Sequence, residues 1–239
     1  MNTLIRDDLH FVVSRLPKDI RNVMQKHRIF LAGGFIRATI AGEKPSDIDL
    51  FGGLKESLRI IALELSNSRK GKLHETQNAY TVLAPPRIPV QFITRWLYLS
   101  PELLVESFDF TIAQACIWFD GEKWHSMCSD RFYPDLAARR LYYTAPERHE
   151  DAGDSMLRLR KFLSKGYTIQ ASSMAAVIAR LVRGVDFEHL REIAGKEAAL
   201  GKALTNLLRE VDPLTVIDGI EIVDEHEVEP ARANHEEGA

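Results

Sequence analysis

The stretch from Ile29 to Phe51 constrains the fold of this 239-residue chain more than any other part of it. It begins with a short apolar run, Ile29 to Ala32, which predicts a strand. Gly33-Gly34 then predicts a turn, and the apolar spacing from Phe35 predicts one or two turns of helix. A polar loop follows, and then a second predicted strand, Asp47 to Phe51. The order is strand, turn, helix, strand.

Two carboxylates, Asp47 and Asp49, lie on the second strand with one apolar residue between them. Because side chains alternate across a strand, both project from one face, with Cα atoms about 7 Å apart. Carboxylate oxygens suit hard Mg²⁺ ions, which bind a few carboxylates together with substrate phosphates. Two such ions about 4 Å apart can activate an attacking hydroxyl and stabilise a leaving pyrophosphate. The spacing therefore predicts a metal site at Asp47 and Asp49.

The residues between the two strands supply the other half of the predicted site. Gly33 and Gly34 lack Cβ atoms, so their backbone N–H groups can approach a ligand closely. The helix that starts at Phe35 directs its positive end to the same place, which favours a phosphate. Arg37, one turn later, is placed for a charge-assisted contact with a triphosphate. Each motif alone is more often a plain turn or a solvated strand end, but their order within one short unit favours function.

The motifs Gly33-Gly34-x-x-Arg37 and Ser46-Asp47-Ile48-Asp49-Leu50 together resemble the head of the DNA polymerase β-like nucleotidyltransferase superfamily. The nearest branch contains the CCA-adding tRNA nucleotidyltransferases and bacterial poly(A) polymerases. The resemblance implies an α+β fold, in which a palm with a mixed β-sheet and flanking helices precedes a small helical domain. It also implies Mg²⁺-dependent transfer of a nucleoside monophosphate from an NTP to a hydroxyl, with Ser46 among the nucleotide-binding residues.

Asp109-Phe110-Thr111 matches part of a ribose-holding motif of this superfamily. Ser107 and Phe108 replace the two arginines of that motif, and Ala113 replaces its asparagine. The resemblance implies contacts of Asp109 and Thr111 with the ribose. A helix that begins here, with Asp109 as its cap, is almost equally compatible with the sequence.

A further partial match opens a helix predicted over residues 154–165. Arg158 matches the arginine of a Glu-Asp-x-x-Arg motif that reads the base in the CCA-adding branch, and Asp154 stands for its Glu. Ser155 replaces the base-reading Asp, which argues against a CCA-adding enzyme. A basic stripe shares one face of this helix: Arg158, Lys161 and Lys165. The resemblance implies that Arg158 and Lys161 lie near the base or the phosphates.

Many polymerase β-like enzymes have a third carboxylate on a neighbouring strand. Alternation along the predicted strand Ile88–Ile93 puts Gln91 at that place. An amide forms hydrogen bonds but carries no charge to bind a metal ion. The site is therefore expected to work with two acids.

The rest of the chain predicts mainly amphipathic helix, over residues 5–27 with a break at Pro17, 55–66 and 172–208. A strand is predicted at Ala79–Leu83, a basic surface loop at Ser66–Lys72, and a hairpin turn at Asp120-Gly121. The predicted domain order is a palm (1–130), a connector (131–150), a helical domain (151–222) and a disordered acidic tail (223–239).

Composition limits the possible partners. Six acids after Val223 turn a slightly basic body into a net charge of −3, which fits a nucleotide or RNA held at a local patch. No apolar run is long enough to span a bilayer, and the first residues lack the order of a signal peptide. Cys116 and Cys128 predict neither a disulfide framework nor a zinc site, and a cytoplasmic protein is expected.

Two classes of function remain open from the sequence. One is a template-independent nucleotidyltransferase that uses an NTP and Mg²⁺, with an RNA or tRNA 3′ end as the favoured acceptor. The other is a regulatory module that binds nucleotide but has lost turnover. Ala38, Gln91 and Ser155 favour the second class, whereas the retention of Asp47 and Asp49 opposes it. A toxin that modifies tRNA or protein would share the chemistry of the first class and differ in acceptor.

Overall fold

The computed structural model describes residues 1–146, 153–183, 185, 187 and 196–209. The predicted acidic tail, residues 223–239, lies outside the described residues. So do parts of the predicted connector and of the predicted C-terminal helix.

A seven-stranded mixed sheet forms the centre of the fold. Its strands are β1 (Phe30–Ala32), β2 (Ile48–Phe51), β3 (Lys72–Glu75), β4 (Ala79–Leu83), β5 (Val90–Ile93), β6 (Ala115–Phe119) and β7 (Trp124–Cys128). They are ordered β3-β4-β5-β2-β1-β6-β7. Strands β2 and β5 run parallel, and the other neighbours are antiparallel. The strands that carry the two opening motifs therefore lie in the interior of the sheet.

The helices are α1 (Arg6–Arg15), α2 (Lys18–Lys26), α3 (Gly34–Ile40), α4 (Lys55–Arg69), α5 (Pro101–Ser107), α6 (Phe132–Ala137), α7 (Asp154–Ser164), α8 (Ala171–Arg183) and α9 (Lys196–Arg209). A 3₁₀ turn at Thr111–Ala113 precedes β6. Two short strands, β8 (Arg140–Leu141) and β9 (Thr168–Ile169), pair in parallel. No helix in the described part of the chain has the length and apolar character needed to cross a membrane.

Side-chain alternation gives the sheet two apolar faces. Leu31, Ile48 and Leu50 belong to the main core, which also contains residues of α1 to α4. Phe30 and Phe51 belong to a smaller cluster with α5. Because Ile48 and Leu50 point into the main core, Asp49 between them points to the opposite face. The α+β palm with a mixed sheet and flanking helices is confirmed.

The predicted surface loop Ser66–Lys72 is wrong, because helix α4 continues to Arg69. The Arg69 side chain is fully buried and donates to both carboxylate oxygens of Asp19, at 2.8 and 3.2 Å. This tertiary contact stabilises a last turn that local composition does not favour. Lys70 then adopts the left-handed conformation that ends α4, and β3 follows.

The helix that the sequence allowed at Asp109 does not form. Helix α5, which was not predicted, ends before it at Ser107. The residue that precedes the 3₁₀ turn is Phe110, and no side chain caps that turn. Asp109 is 2% exposed and contacts α7 instead, so its assignment as a helix cap is wrong.

The main core continues past the palm. It includes Phe132 of α6, Leu141 of β8, and Leu159 and Phe162 of α7. Helix α6 and strand β8 thus occupy part of the predicted connector. The boundaries at 131–150 stay a prediction.

Candidate active site

One cavity opens between α3, the loop that leads into β2, and α7. Eight residues that the sequence singled out line it: Gly34, Arg37, Ser46, Asp47, Asp49, Asp109, Arg158 and Lys161. They come from four separate parts of the chain, so the fold brings together motifs that are distant in sequence. Two others, Gly33 and Thr111, are not among the lining residues.

The acidic side of the cavity is formed by Asp47 and Asp49. Asp47 immediately precedes β2, and Asp49 is the second residue of that strand. Both are half-buried and line the cavity. On the neighbouring strand β5, Gln91 pairs in register with Asp49, at the position predicted from alternation.

The donor set at this side suits Mg²⁺ rather than a softer metal. Gln91 is fully buried, and neither of its amide atoms has a hydrogen-bond partner in the described part of the chain. Across the described residues, no group of three or more His, Cys, Asp or Glu side chains is placed to hold a metal ion. Two half-exposed carboxylates nevertheless fit Mg²⁺, which takes few protein ligands and completes its shell with water and substrate phosphates.

The basic residues of the cavity come from α3 and α7, and Arg37 on α3 is the most buried of them. Arg37 is 4% exposed, and its guanidinium lies over the ring of Phe162 at 4.8 Å. Its Nη2 lies 3.6 Å from Oε2 of Glu43. The hydroxyl of Tyr167 donates to the other oxygen of Glu43, at 3.1 Å. These contacts hold Arg37 in place before any ligand arrives, which reduces the entropy lost on binding an anion.

The basic face of α7 contributes three residues to the lining of the same cavity: Arg158, Lys161 and Lys165. Burial lowers the pKa of Lys165, and the nearby charges of Arg37 and Lys161 lower it further, although Glu43 and Asp47 oppose them. Lys165 is not part of the predicted nucleotide-binding set. Its position seven residues after Arg158, on the same helix face, could have identified it.

A buried ion pair connects the palm to α7. Oδ2 of Asp109 accepts hydrogen bonds from Nε of Arg158 at 2.8 Å and from the Ser155 hydroxyl at 2.9 Å. Ser155 stands where the related motif has an Asp, and its hydroxyl donates to the carboxylate of Asp109. A second pair, Nη1 of Arg95 with Oδ2 of Asp154 at 3.4 Å, joins the end of β5 to the start of α7.

Gly33 and Thr111 make contacts that stabilise the fold beside the cavity. Gly33 has a φ of +75°, which favours glycine, and an added Cβ would lie 3.0 Å from the ring of Phe108. Its N–H donates to the carbonyl of Ala115 at 3.1 Å, so it extends the sheet. The Thr111 hydroxyl donates to Oδ2 of buried Asp135 at 2.7 Å, which turns it away from a ligand.

Two aromatic residues of the cavity wall, Phe108 and Trp96, were not predicted. Phe108 occupies a position where the related motif has an arginine, so the motif gave no sign of an aromatic wall. Trp96 follows β5 in a segment without a regular pattern. Both belong to the smaller apolar cluster on this face of the sheet.

The cavity therefore combines an acidic wall, formed by Asp47 and Asp49 at the start of β2, with a basic wall, formed by residues of α3 and α7. A nucleoside triphosphate with bound Mg²⁺ matches this division. Its phosphates would lie against the cations, and its metal would lie against the carboxylates. The aromatic rings beside them offer an apolar surface for a base or a sugar.

A family model described as Gad2, the Gabija anti-defense 2 family protein, matches residues 3–139. That range contains the whole sheet and six of the helices. No curated protein matches the sequence.

Solved structures of CCA-adding enzymes share the fold. A Thermotoga maritima CCA-adding enzyme complexed with tRNA aligns with a TM-score of 0.54 at 18% identity, over 82% of this chain and 49% of that one. A CCA-adding enzyme with ATP aligns with a TM-score of 0.54 at 20% identity, over 86% and 50%. A tRNA nucleotidyltransferase with a primer tRNA and an ATP analogue gives 0.52 at 16%, over 79% and 58%. The chain spans about half the length of the first two structures. The nucleotidyltransferase fold predicted from the motifs is confirmed.

Proposed function

Because this chain belongs to the Gabija anti-defense 2 family and has a nucleotidyltransferase fold, we propose that it transfers a nucleoside monophosphate from an NTP to an acceptor hydroxyl. One observation carries the proposal. Asp47 and Asp49 line the same cavity as Arg37 and the basic face of α7. The family name points to an action against the Gabija defence, and nucleotide transfer would be the means of that action.

Asp47 and Asp49 would hold Mg²⁺ through their carboxylates. Bound there, the metal supplies charge neutralisation for in-line phosphoryl transfer. Arg37, held by Phe162 and Glu43, would bind phosphate oxygens and orient the triphosphate. Positioning and charge stabilisation are the main contributions that a protein makes to this reaction.

The nucleoside would lie toward α7 and the aromatic wall. Lys161 and Lys165 would extend the phosphate-binding surface, and Gly34 and Ser46 line the same cavity. Arg158 is held by Asp109, so the two act as one unit at the base or ribose. The predicted ribose contact through Thr111 stays a prediction, and the bond of its hydroxyl to Asp135 does not support it.

The favoured acceptor is the 3′ end of an RNA. Two of the similar structures hold tRNA, which makes RNA the first acceptor to test. We place the protein in the cytoplasm, where it would meet RNA and NTPs. Cys116 and Cys128 are free and buried, in keeping with a reducing compartment.

Incubation of the purified protein with Mg²⁺, each labelled NTP in turn and total cellular RNA tests the proposal. Wild type should transfer label to RNA, and Asp47→Asn/Asp49→Asn should not. Asp7→Asn, which changes an exposed acid outside the cavity, serves as the matched control and should behave as wild type. Equal labelling by wild type and the double variant would remove these two acids from the reaction.

A second function, nucleotide binding without turnover, is favoured by one observation. Gln91 brings an amide instead of a third carboxylate to the side of Asp49. Such a module would bind ATP but release no pyrophosphate with any acceptor. The absence of both label transfer and pyrophosphate release from wild type, together with tight ATP binding, would favour this function.

A further inference from the structure

A second groove lies on the other side of α3 from the cavity. Gly34 and Arg37 line the cavity, whereas Phe35 and Thr39 line the groove. A helix with its side chains is about 10 Å across, so the two depressions are close neighbours. The loop segment Pro45-Ser46 lines both of them. The groove therefore reaches the edge of the proposed transfer site.

Positive charge dominates the groove. Arg15, Lys44 and Arg87 line it, and all three are exposed. Glu43 is the acidic residue of its lining, and its carboxylate is already engaged by Arg37 from the cavity side. Nη1 of Arg87 also lies 3.5 Å from Oδ2 of Asp19, an acid outside the groove lining. With this pair counted, the net charge offered to a ligand is still positive, as for a polyanion site.

The groove also offers flat apolar surfaces between the charges. Phe11 is 42% exposed, and the Arg15 guanidinium lies 4.9 Å from the centre of its ring. Prolines make up much of the remaining wall: Pro17, Pro45, Pro86 and Pro89. The hydroxyl of Thr39, which is 7% exposed, has no hydrogen-bond partner among the residues that the structure describes. Basic grooves with aromatic surfaces are typical of single-stranded nucleic acid sites, because bases stack there while phosphates meet the cations.

We propose that this groove binds the 3′-terminal segment of a single-stranded nucleic acid acceptor, with Arg15, Lys44 and Arg87 at its phosphates. The inference rests on the proposed transferase function, because the strand would lead its end to Asp47 and Asp49. There the 3′ oxygen forms a bond to the α-phosphorus of the NTP as the bond from that phosphorus to pyrophosphate breaks. The hydroxyl proton passes to solvent. An acidic protein segment fits less well, since it has no bases to stack on Phe11.

Binding can be measured without turnover, by fluorescence anisotropy of a labelled single-stranded RNA with the full chain and no NTP. The groove variant is Arg15→Glu/Lys44→Glu/Arg87→Glu. The matched control, Lys55→Glu/Lys123→Glu/Lys202→Glu, makes the same charge change at lysines outside the groove, of which Lys55 is partly buried and the other two are exposed. We expect RNA affinity to fall by about tenfold or more in the groove variant and to change little in the control.

Salt dependence gives a second readout. Three phosphate contacts on a single strand contribute about 2 to the slope of log affinity against log salt, and the groove variant should lose that contribution. If the triple variant fails to fold, Lys44→Gln against Lys55→Gln repeats the comparison with single surface changes. Loss of about one third of the slope contribution is then expected from Lys44→Gln.

Two outcomes separate this inference from the proposed function, and three more test the groove alone. Groove-dependent RNA binding without label transfer would support the groove and contradict the transferase. If the groove variant transfers label to RNA as well as wild type does, the transferase is supported and the groove is overturned. Equal weakening in both triple variants would overturn it too, since the effect would be one of total charge. Competition by polyglutamate as strong as by RNA would reassign the groove to acidic protein segments, whereas single-stranded DNA that binds like RNA would support it.

Discussion

At the scale of single residues, Lys165 is the cavity lysine whose charge depends on its neighbours. Its pKa is lowered by burial and by Arg37 and Lys161, so it loses its proton at a lower pH than an ordinary lysine. Below that lowered pKa, Lys165 is charged and attracts a triphosphate. Above it, the attraction is lost. ATP affinity should therefore weaken as pH rises through the alkaline range.

Lys165→Arg removes this titration, because an arginine keeps its charge to a pH of about 12 or above. We expect the ATP affinity of this variant, measured by calorimetry from neutral to alkaline pH, to stay level where that of wild type declines. Lys123→Arg, outside the cavity, is the control. Parallel profiles for wild type and Lys165→Arg would show that Lys165 does not contact the phosphates.

Gln91 is a residue that costs stability. Its buried amide has no hydrogen-bond partner among the described residues, and such a group is unfavourable by about 1–3 kcal/mol. Gln91→Met should therefore raise the free energy of unfolding by about 1 kcal/mol in urea titrations. Gln114→Met provides the comparison, since buried Gln114 donates to the Phe108 carbonyl at 3.1 Å and should lose stability. Destabilisation by both changes alike would mean that Gln91 has a partner.

Thr111 has two possible roles, stabilisation of the fold or contact with a bound ribose, and a substitution separates them. Its hydroxyl donates to Asp135, which is fully buried and also accepts from Arg131 and Arg140. Thr111→Val should lower the free energy of unfolding by about 1 kcal/mol and leave ATP affinity unchanged. A loss of ATP affinity in calorimetry, with stability intact, would instead support the ribose contact that the motif implies.

At the scale of elements, the buried pair of Asp109 and Arg158 is one of the contacts that hold helix α7 on the palm. Arg158→Leu leaves the Asp109 carboxylate with the Ser155 hydroxyl alone, so we expect a loss of about 3–5 kcal/mol in the free energy of unfolding. Arg160→Leu, on the exposed face of the same helix, should change it by about 0.5 kcal/mol or less. Similar losses from both changes would show that the pair is not what holds α7.

The element scale also shows what the sequence could predict. The order from Ile29 to Phe51 was predictable because strand, turn and helix there follow from local apolar spacing and two glycines. The end of α4 was not, because it depends on Arg69 meeting Asp19, fifty residues away in the chain. Likewise, the motif around Asp109 predicted a functional carboxylate but not its buried partner on α7.

At the scale of the whole molecule, the candidate site lies where four distant segments meet. Sequence motifs identified most of its charged residues, because charged groups at fixed spacing have a chemical meaning of their own. The aromatic wall at Phe108 and Trp96, and the direction of the Thr111 hydroxyl, depend on packing between segments and could not be predicted from spacing. The acidic wall and the basic wall become one site only in the fold.

Calorimetric titration of ATP, with Mg²⁺ and with EDTA, tests whether these two walls bind one ligand. Wild type and Asp7→Asn should bind ATP about tenfold or more tightly with Mg²⁺ than without it. Asp47→Asn/Asp49→Asn should lose that difference and keep the metal-independent affinity that the basic wall supplies. If the double variant retains the full effect of Mg²⁺, or if wild type shows none, the cavity is not a metal–nucleotide site and the proposed transferase fails with it.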